Sequence, residues 1–496
     1  MRTVEEKLYQ LIISRLNGED ISSPLHRQQV FDLVEKGIGG FIVFGGEKQE
    51  IRPFIDALQS AAAVPLFIAS DIERGVGQQI RGATHFPGQM ALAAAIGRIS
   101  PGDKNLLEGS AAAIAREAID AGINMPLIPV LDVNTNPDNP IICTRAFSDD
   151  PGKVTRYGKK YITILQRAGL ISCAKHFPGH GDTAVDSHIS LPVIAKPFSR
   201  LAESDLLPFA AAIRAGVSAI MAGHLSIPAA DTLPASLSRK LITHLLRQEM
   251  GFSGLVLTDA LNMHALDHYG HVPVLCINAG VDILLHPADV HEIVRELTRA
   301  IEIGELNEKV VDKAVERILT YKGKIKSLRR TAVDYDEHGK LSSLISDRSI
   351  TLVRCREGLL PLKEPLRAHL VIAADENRHD PSVIGHLTST ASRLEDMGEY
   401  FGGQTIIVAL FTSVAAWQGT SGIGEEAVKK IGKIIRKVSS SIVISFGSPY
   451  VLRHFPDADA LIAAYEPSLQ SQRSVVQCLT GKQEFEGTLP VALQMT

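Results

Sequence analysis

The sequence predicts an α/β protein: a (β/α)8-type TIM barrel followed by a smaller three-layer α/β sandwich domain. Three observations point there. From the start to about residue 325, short β-branched apolar runs alternate with longer helical patterns. The runs are apolar on both faces, as parallel strands covered by helices must be. Nearly every run is followed at once by a polar or charged group: Asp71, Asp132, Lys175 with His176, His224, Asp259 and His286. In a barrel such strand ends converge on one mouth, whereas in a doubly wound sheet they lie along an edge. The number of ends carrying chemistry favours the barrel.

The elements follow in order. Residues 1–7 look like the first turn of an amphipathic helix and carry no signal-peptide core. Strand candidates are 40–44, 65–69, 125–130, 171–174, 219–222, 255–258 and 281–285, with helices such as 108–121 and 154–168 between them. These seven units fit a barrel of the usual length of about 250 residues. A helix over 310–325 closes the region, giving a barrel domain of residues 1–326. The polar stretch 327–347 has no strong period and reads as a linker. A sandwich domain of residues 348–496 follows, with strands near 349–353, 370–372, 405–409, 441–444 and 460–463. The helix 424–438 carries lysines on its outer face.

Composition narrows the class. The chain has 496 residues, and 51 basic against 55 acidic side chains leave a net charge of −4. That balance argues against a nucleic-acid partner, which needs a basic patch to neutralise phosphates. No apolar run approaches the roughly 20 residues of a membrane span. Five scattered cysteines argue against a disulfide framework. The expectation is a cytoplasmic enzyme without a membrane partner, monomeric or a weak homodimer.

The chemistry concentrates between Lys175 and His188. This run packs three imidazoles, two carboxylates and an ammonium into fourteen positions, with Pro178, Gly179 and Gly181 keeping its middle from being helix. In Asp186-Ser187-His188 the carboxylate can accept a bond from the imidazole, fix its tautomer and stabilise its charged form. An Asx-turn beside a surface histidine is the plainer reading of the same tripeptide. A metal held by His176, His180 and His188 is a third reading, but Pro178 and Gly179 break the helix that the first two would share. No metal and no cofactor is therefore expected. Asp259, straight after a buried strand, is either used or paired, or caps a helix starting at Ala260. Asp71 has the same two readings, and Gly75 and Gly77 downstream make a loop able to approach a ligand closely. A lone carboxylate opposite an Asp–His dyad implies covalent catalysis, in which Asp259 attacks and His188 protonates the leaving group. That is the logic of a retaining glycosidase with imidazole in place of the second carboxyl group.

These residues resemble glycoside hydrolase family 3, in its β-N-acetylglucosaminidase branch. The signature K-H-F-P-G-H-G-D-T-x-x-D-S-H stands here without a substitution from Lys175 to His188. Supporting matches are Gly122-Ile123-Asn124, Pro129 to Val133, Asn136-Pro137 through Phe147, and Thr258 to Met263. In the second domain Ser349 to Val353, Leu359 to Leu362 and Gly487 to Val491 look similar, so the resemblance covers nearly the whole chain. It implies Asp259 as nucleophile, His188 as acid/base and Asp186 as its partner. It also implies Asp71, Arg145, Lys175 and His176 as ligands of the terminal sugar. Related β-glucosidases tend to use a Glu acid/base from elsewhere, and the intact D-S-H argues against that branch.

Three features depart from the pattern. The family often reads D-x-E-G-G-R-V-x-R after the second strand, and here Gln79 stands for the last Arg, with Arg81 close by. Asp259-Ala260-Leu261 replaces a common D-D-L. The second domain is short for two-domain members. The implied activity is exo-β-N-acetylglucosaminidase with retention, acting on small carbohydrates or on cell-wall muropeptides. A phosphorylase of the same fold is the alternative, because an imidazole acid/base does not repel phosphate as a carboxylate would. A non-catalytic sugar-binding protein is a further one. Gly179 and Gly181 leave the loop free to move in delivering His188. His180 is left without a role.

Overall fold

A computed structural model describes residues 3–97, 103–325, 330–363, 368–375, 377–397, 405–414 and 418–495. The chain divides into two compact units: residues 1–86, 108–133 and 151–339, and residues 87–107, 134–150 and 340–496.

The first unit is the barrel. Its strands are β1 (Ile12–Asn17), β2 (Gly40–Phe44), β3 (Phe67–Ser70), β4 (Met125–Pro126), β5 (Cys173–Phe177), β6 (Ala219–Ala222), β7 (Leu255–Thr258) and β8 (Leu284–Leu285). One sheet runs β4-β3-β2-β1-β8 and the other β5-β6-β7. Parallel bridges Val130–Lys175 and Leu257–Ile283 join the two sheets into a ring, and every pairing in that ring is parallel. The ring is that of a (β/α)8 barrel.

β1 has no counterpart among the seven candidates. The helix Val4–Gln10 runs into Leu11, Ile12 and Ile13 with no turn residue between, so helix and strand read as one apolar stretch. The candidate at 125–130 shortens to two residues because Pro126 and Pro129 have no N–H to give a ladder. The covering helices follow the expected period. Pro151–Arg167 buries Val154, Tyr157, Gly158, Tyr161, Ile162 and Leu165, one stripe at helical spacing.

The stretch read as a linker carries a helix, Tyr335–Ser349. Its start is capped, since the Asp334 carboxylate accepts the Glu337 N–H at 2.9 Å. The Tyr335 hydroxyl donates to Asp120 at 2.7 Å, and the His338 imidazole lies 2.7 Å from the fully buried Glu117 carboxylate. Those four residues all belong to the barrel unit.

The second unit is built on a six-stranded sheet among the described residues. Its strands are β9 (Thr351–Cys355), β10 (Ala368–Ala373), β11 (Thr390–Arg393), β12 (Thr405–Phe411), β13 (Ser440–Phe446) and β14 (Ala460–Ala463). They lie in the order β11-β10-β12-β13-β14-β9, all parallel except the β9–β14 pair. Alternate residues serve two cores. Ile406, Val408, Leu410 and Val443 pack on one face, and Ile407, Ala409, Ile442 and Ile444 on the other. The helix Gln89–Ala95, buried all round, places Met90, Ala91 and Ala94 in the first of these cores. Residues 87–107 and 134–150, read from the sequence as part of the barrel domain, therefore fold with the sandwich. Among the described residues no helix is long and apolar enough to cross a membrane.

Candidate active site

Because the eight strands are parallel, the groups that follow them share one end of the barrel. Asp71 follows β3, His224 comes two residues after β6, and Asp259 follows β7, while Lys175 and His176 lie inside β5.

Lys175 is almost fully buried, and a buried ammonium must be paired. Its Nζ lies 2.6 Å from Asp71 Oδ1 and 2.7 Å from Glu73 Oε1. Glu73 is buried, whereas the Asp71 side chain keeps 30% of its surface exposed. One carboxylate thus mainly neutralises the lysine, and the other retains surface for a hydroxyl.

Asp132 is wholly buried six residues beyond β4. Its Oδ2 lies 2.7 Å from His176 Nδ1, and its Oδ1 accepts the backbone N–H groups of His176 at 3.2 Å and His180 at 2.7 Å. Burial pushes the Asp132 carboxyl upward, but His176 and these bonds outweigh it and hold the carboxyl below its ordinary range. An ionised Asp132 fixes the His176 proton on Nδ1.

Asp259 donates its N–H to the Ala222 carbonyl at 2.9 Å, and its Oδ1 accepts the Ala260 N–H at 2.8 Å. No helix begins at Ala260, so capping does not account for this carboxylate. Burial alone would raise its pKa. His176, His224, the Ala260 N–H and His188 pull the other way and bring it down to about 2. His224 is itself buried, with Nε2 donating to the Ala260 carbonyl at 3.2 Å and Nδ1 accepting from Ser236 at 2.8 Å.

After β5 the chain turns through Pro178 and Gly179 into a loop. Gly179 has φ +134°, and a Cβ there would lie 2.7 Å from Cβ of Asp205, so only glycine fits. Farther along, Asp186 Oδ1 accepts both the His188 N–H at 2.9 Å and the His188 Nδ1–H at 2.8 Å. The Asp186 carboxylate is buried while the imidazole is 23% exposed. The bond to Asp186 fixes the His188 proton on Nδ1 and so sets the orientation of the ring. The three imidazoles of the run meet different partners. His176 meets Asp132, His188 meets Asp186, and His180 meets Thr183 and Ser187. Among the described residues no group of three or more His, Cys, Asp or Glu side chains is arranged to hold a metal ion.

Residues 3–321 match the family model described as the glycosyl hydrolase family 3 N terminal domain. The chain belongs to glycosyl hydrolase family 3. It is 34% identical over 383 residues to "Beta-hexosaminidase A" of Pseudoalteromonas piscicida, an alignment covering 69% of this chain and 63% of that protein. It is also similar to the solved structure of a family 3 β-N-acetylglucosaminidase from Paenibacillus sp. str. FPU-7, with a TM-score of 0.84, 29% identity and 100% of both chains covered. A β-glucoside phosphorylase structure superposes with a TM-score of 0.86 at 25% identity, over 99% of this chain and 94% of that one.

Within this family 3 glycoside hydrolase the departures from the signature take on shape. Gln79 donates to the Asp71 carbonyl at 3.2 Å and so braces the backbone that carries Asp71. Arg81 does not stand in for the customary arginine. Its guanidinium is engaged by Glu19 at 2.6 Å and Glu47 at 2.5 Å, and the Arg81 bond draws the Glu19 carboxyl down to about 2. Arg145 belongs to the second unit, where its Nη1 donates to the Ile141 carbonyl at 2.8 Å and its own carbonyl accepts from Gln89. Glu73, Asp132 and His224 were not among the sequence-predicted site residues. A weak signal existed in the i, i+2 pair Asp71 and Glu73, and in polar residues straight after strands.

Proposed function

We propose that this family 3 enzyme is a retaining exo-β-N-acetylglucosaminidase that removes non-reducing terminal β-linked N-acetylglucosamine. The observation that carries the reading is the pairing of an Asp–His dyad with one ionised carboxylate in its field. Asp186 holds His188 at 2.8 Å, and His188 is among the groups that keep Asp259 ionised. The similarity to the Paenibacillus enzyme supports the choice of sugar.

The chemistry proceeds in two displacements. Asp259 attacks C1 of the terminal sugar, the C1–oxygen bond breaks, and protonated His188 gives its Nε2 proton to the leaving oxygen. A glycosyl ester on Asp259 results. Neutral His188 then takes a proton from water as the water oxygen bonds to C1 and Asp259 leaves. Asp186 stabilises the imidazolium at the start and end of the cycle. Lys175, Asp71 and His176 hold the sugar, and Arg145 enters as a fourth ligand on the strength of the signature alone. Muropeptides as the source of that sugar, and the cytoplasm as the place, form the finer part of the proposal.

The test is release of 4-nitrophenol from its β-N-acetylglucosaminide, with the anomer of the freed sugar followed by NMR. The β-anomer as first product is expected. Folded protein without turnover contradicts the activity, and the α-anomer contradicts the mechanism.

A second reading is phosphorolysis, favoured by the imidazole acid/base and by the likeness to a phosphorylase structure. After giving up its proton, His188 carries no negative charge to repel an incoming phosphate. Formation of N-acetylglucosamine 1-phosphate, with faster turnover in phosphate buffer, would select that reading over hydrolysis.

A further inference from the structure

We propose that His180 is a positioning residue for the acid/base pair, clipping Ser187 to the end of the barrel so that Asp186 and His188 stand where a leaving group can be reached. The role rests on the glycosidase reading above.

His180 is almost fully buried, only four residues past His176, and the two rings meet edge to face with centroids 5.8 Å apart. Its backbone N–H is held at 2.7 Å by the same Asp132 carboxylate that orients His176. Its ring reaches forward to two loop residues: Nδ1 lies 2.8 Å from Thr183 Oγ1 and Nε2 lies 3.2 Å from Ser187 Oγ. The Thr183 hydroxyl gives its hydrogen to the His180 carbonyl at 3.0 Å, so its oxygen accepts from Nδ1–H. Nε2 is then the acceptor for the Ser187 hydroxyl. Burial, with His176 next in weight, brings the imidazole pKa down to about 4, so this neutral tautomer persists at neutral pH.

Ser187 sits between Asp186 and His188, so fixing its side chain limits where both neighbours can lie. The far side of the loop is anchored separately. The Ile194 N–H donates to the Ser226 carbonyl at 2.9 Å, and Lys196 pairs with Asp205 at 2.7 Å. Removing His180 therefore frees the near anchor and leaves the far one in place. The consequence falls on proton delivery, because His176 and Lys175 keep their own partners.

The experiment measures kcat/KM for wild type, His180→Ala, His180→Gln and Ser187→Ala on aryl β-N-acetylglucosaminides, from 2,4-dinitrophenyl to phenyl. The 2,4-dinitrophenolate departs without a proton, whereas phenolate needs one. For His180→Ala the expected result is activity within about threefold of wild type on the first substrate and a loss of at least about tenfold on the second. His180→Gln, whose amide can reach Ser187, should recover part of that loss. If His180→Ala does not fold, Ser187→Ala removes one hydroxyl and should give the same dependence on leaving group. An equal loss at both ends of the series, or no loss at either, overturns the positioning role while wild-type turnover upholds the glycosidase reading. A folded wild type that turns over none of the series overturns both.

Discussion

The buried Asp132 carboxylate holds the His176 imidazole at 2.7 Å through one oxygen while its other oxygen gathers the backbone N–H groups of His176 and His180. One side chain thus sets both the His176 ring and the first turn of the loop that carries His188. Replacing it by Asn keeps the shape and removes the charge. Asp132→Asn should lower kcat/KM by at least tenfold and cost about 1–3 kcal/mol of stability, since buried donors lose an ionic acceptor. Steady-state kinetics beside urea denaturation checks both effects, and unchanged kinetics would contradict the coupling.

Lys175 answers two carboxylates at 2.6 and 2.7 Å from a nearly solvent-free position. Its removal takes the ammonium away from the buried Glu73 carboxylate. Lys175→Ala should therefore destabilise the fold by about 3–5 kcal/mol, the usual result of breaking a buried pair from one side. The double variant with Glu73→Gln should recover part of that stability. Thermal denaturation of the single and double variants measures it.

Acid should weaken the fold through histidine before it touches Asp259. His180 has its pKa lowered by burial from 6.5 to about 4. The unfolded chain then binds a proton that the folded one refuses between those values, so stability rises with pH across that window. The contribution is fully present above pH 6.5, falls as the pH drops toward 4, and is on the order of 3 kcal/mol. Urea midpoints of wild type between pH 4 and 7 should show a slope that His180→Gln reduces. The Asp259 carboxyl, at about 2, has the opposite origin but the same sign. Its contribution is present above the ordinary aspartate range near 4 and is lost only as the pH falls through about 2.

The parts of the fold that were legible in the sequence are those where contrast is local. Leu255 to Thr258 followed by Asp259 announces itself, because a charge after a buried strand is costly unless used. The alternation along β12 serves two cores and reads as a covered parallel strand for the same reason. β1 was hidden because its apolar residues run on from a helix without a break. The helix at Tyr335 was hidden because its anchors, Asp120 and Glu117, lie more than 200 residues away in the chain. Asp132 and His224 are visible in the sequence as polar groups near strand ends, but the groups they hold, like the Lys175 that Glu73 holds, are brought to them only in three dimensions. His180 has no evident role in the sequence for the same reason, since only the fold brings its ring to the Thr183 and Ser187 hydroxyls.

In the proposed mechanism Asp259 forms the covalent bond to the sugar. Mass spectrometry of proteolytic peptides after reaction with a 5-fluoro β-N-acetylglucosaminyl fluoride, which slows the second displacement, tests it most directly. One added glycosyl group, located on Asp259, is expected. A glycosyl group on any other side chain, or steady turnover of the reagent with no labelled peptide at all, would contradict it.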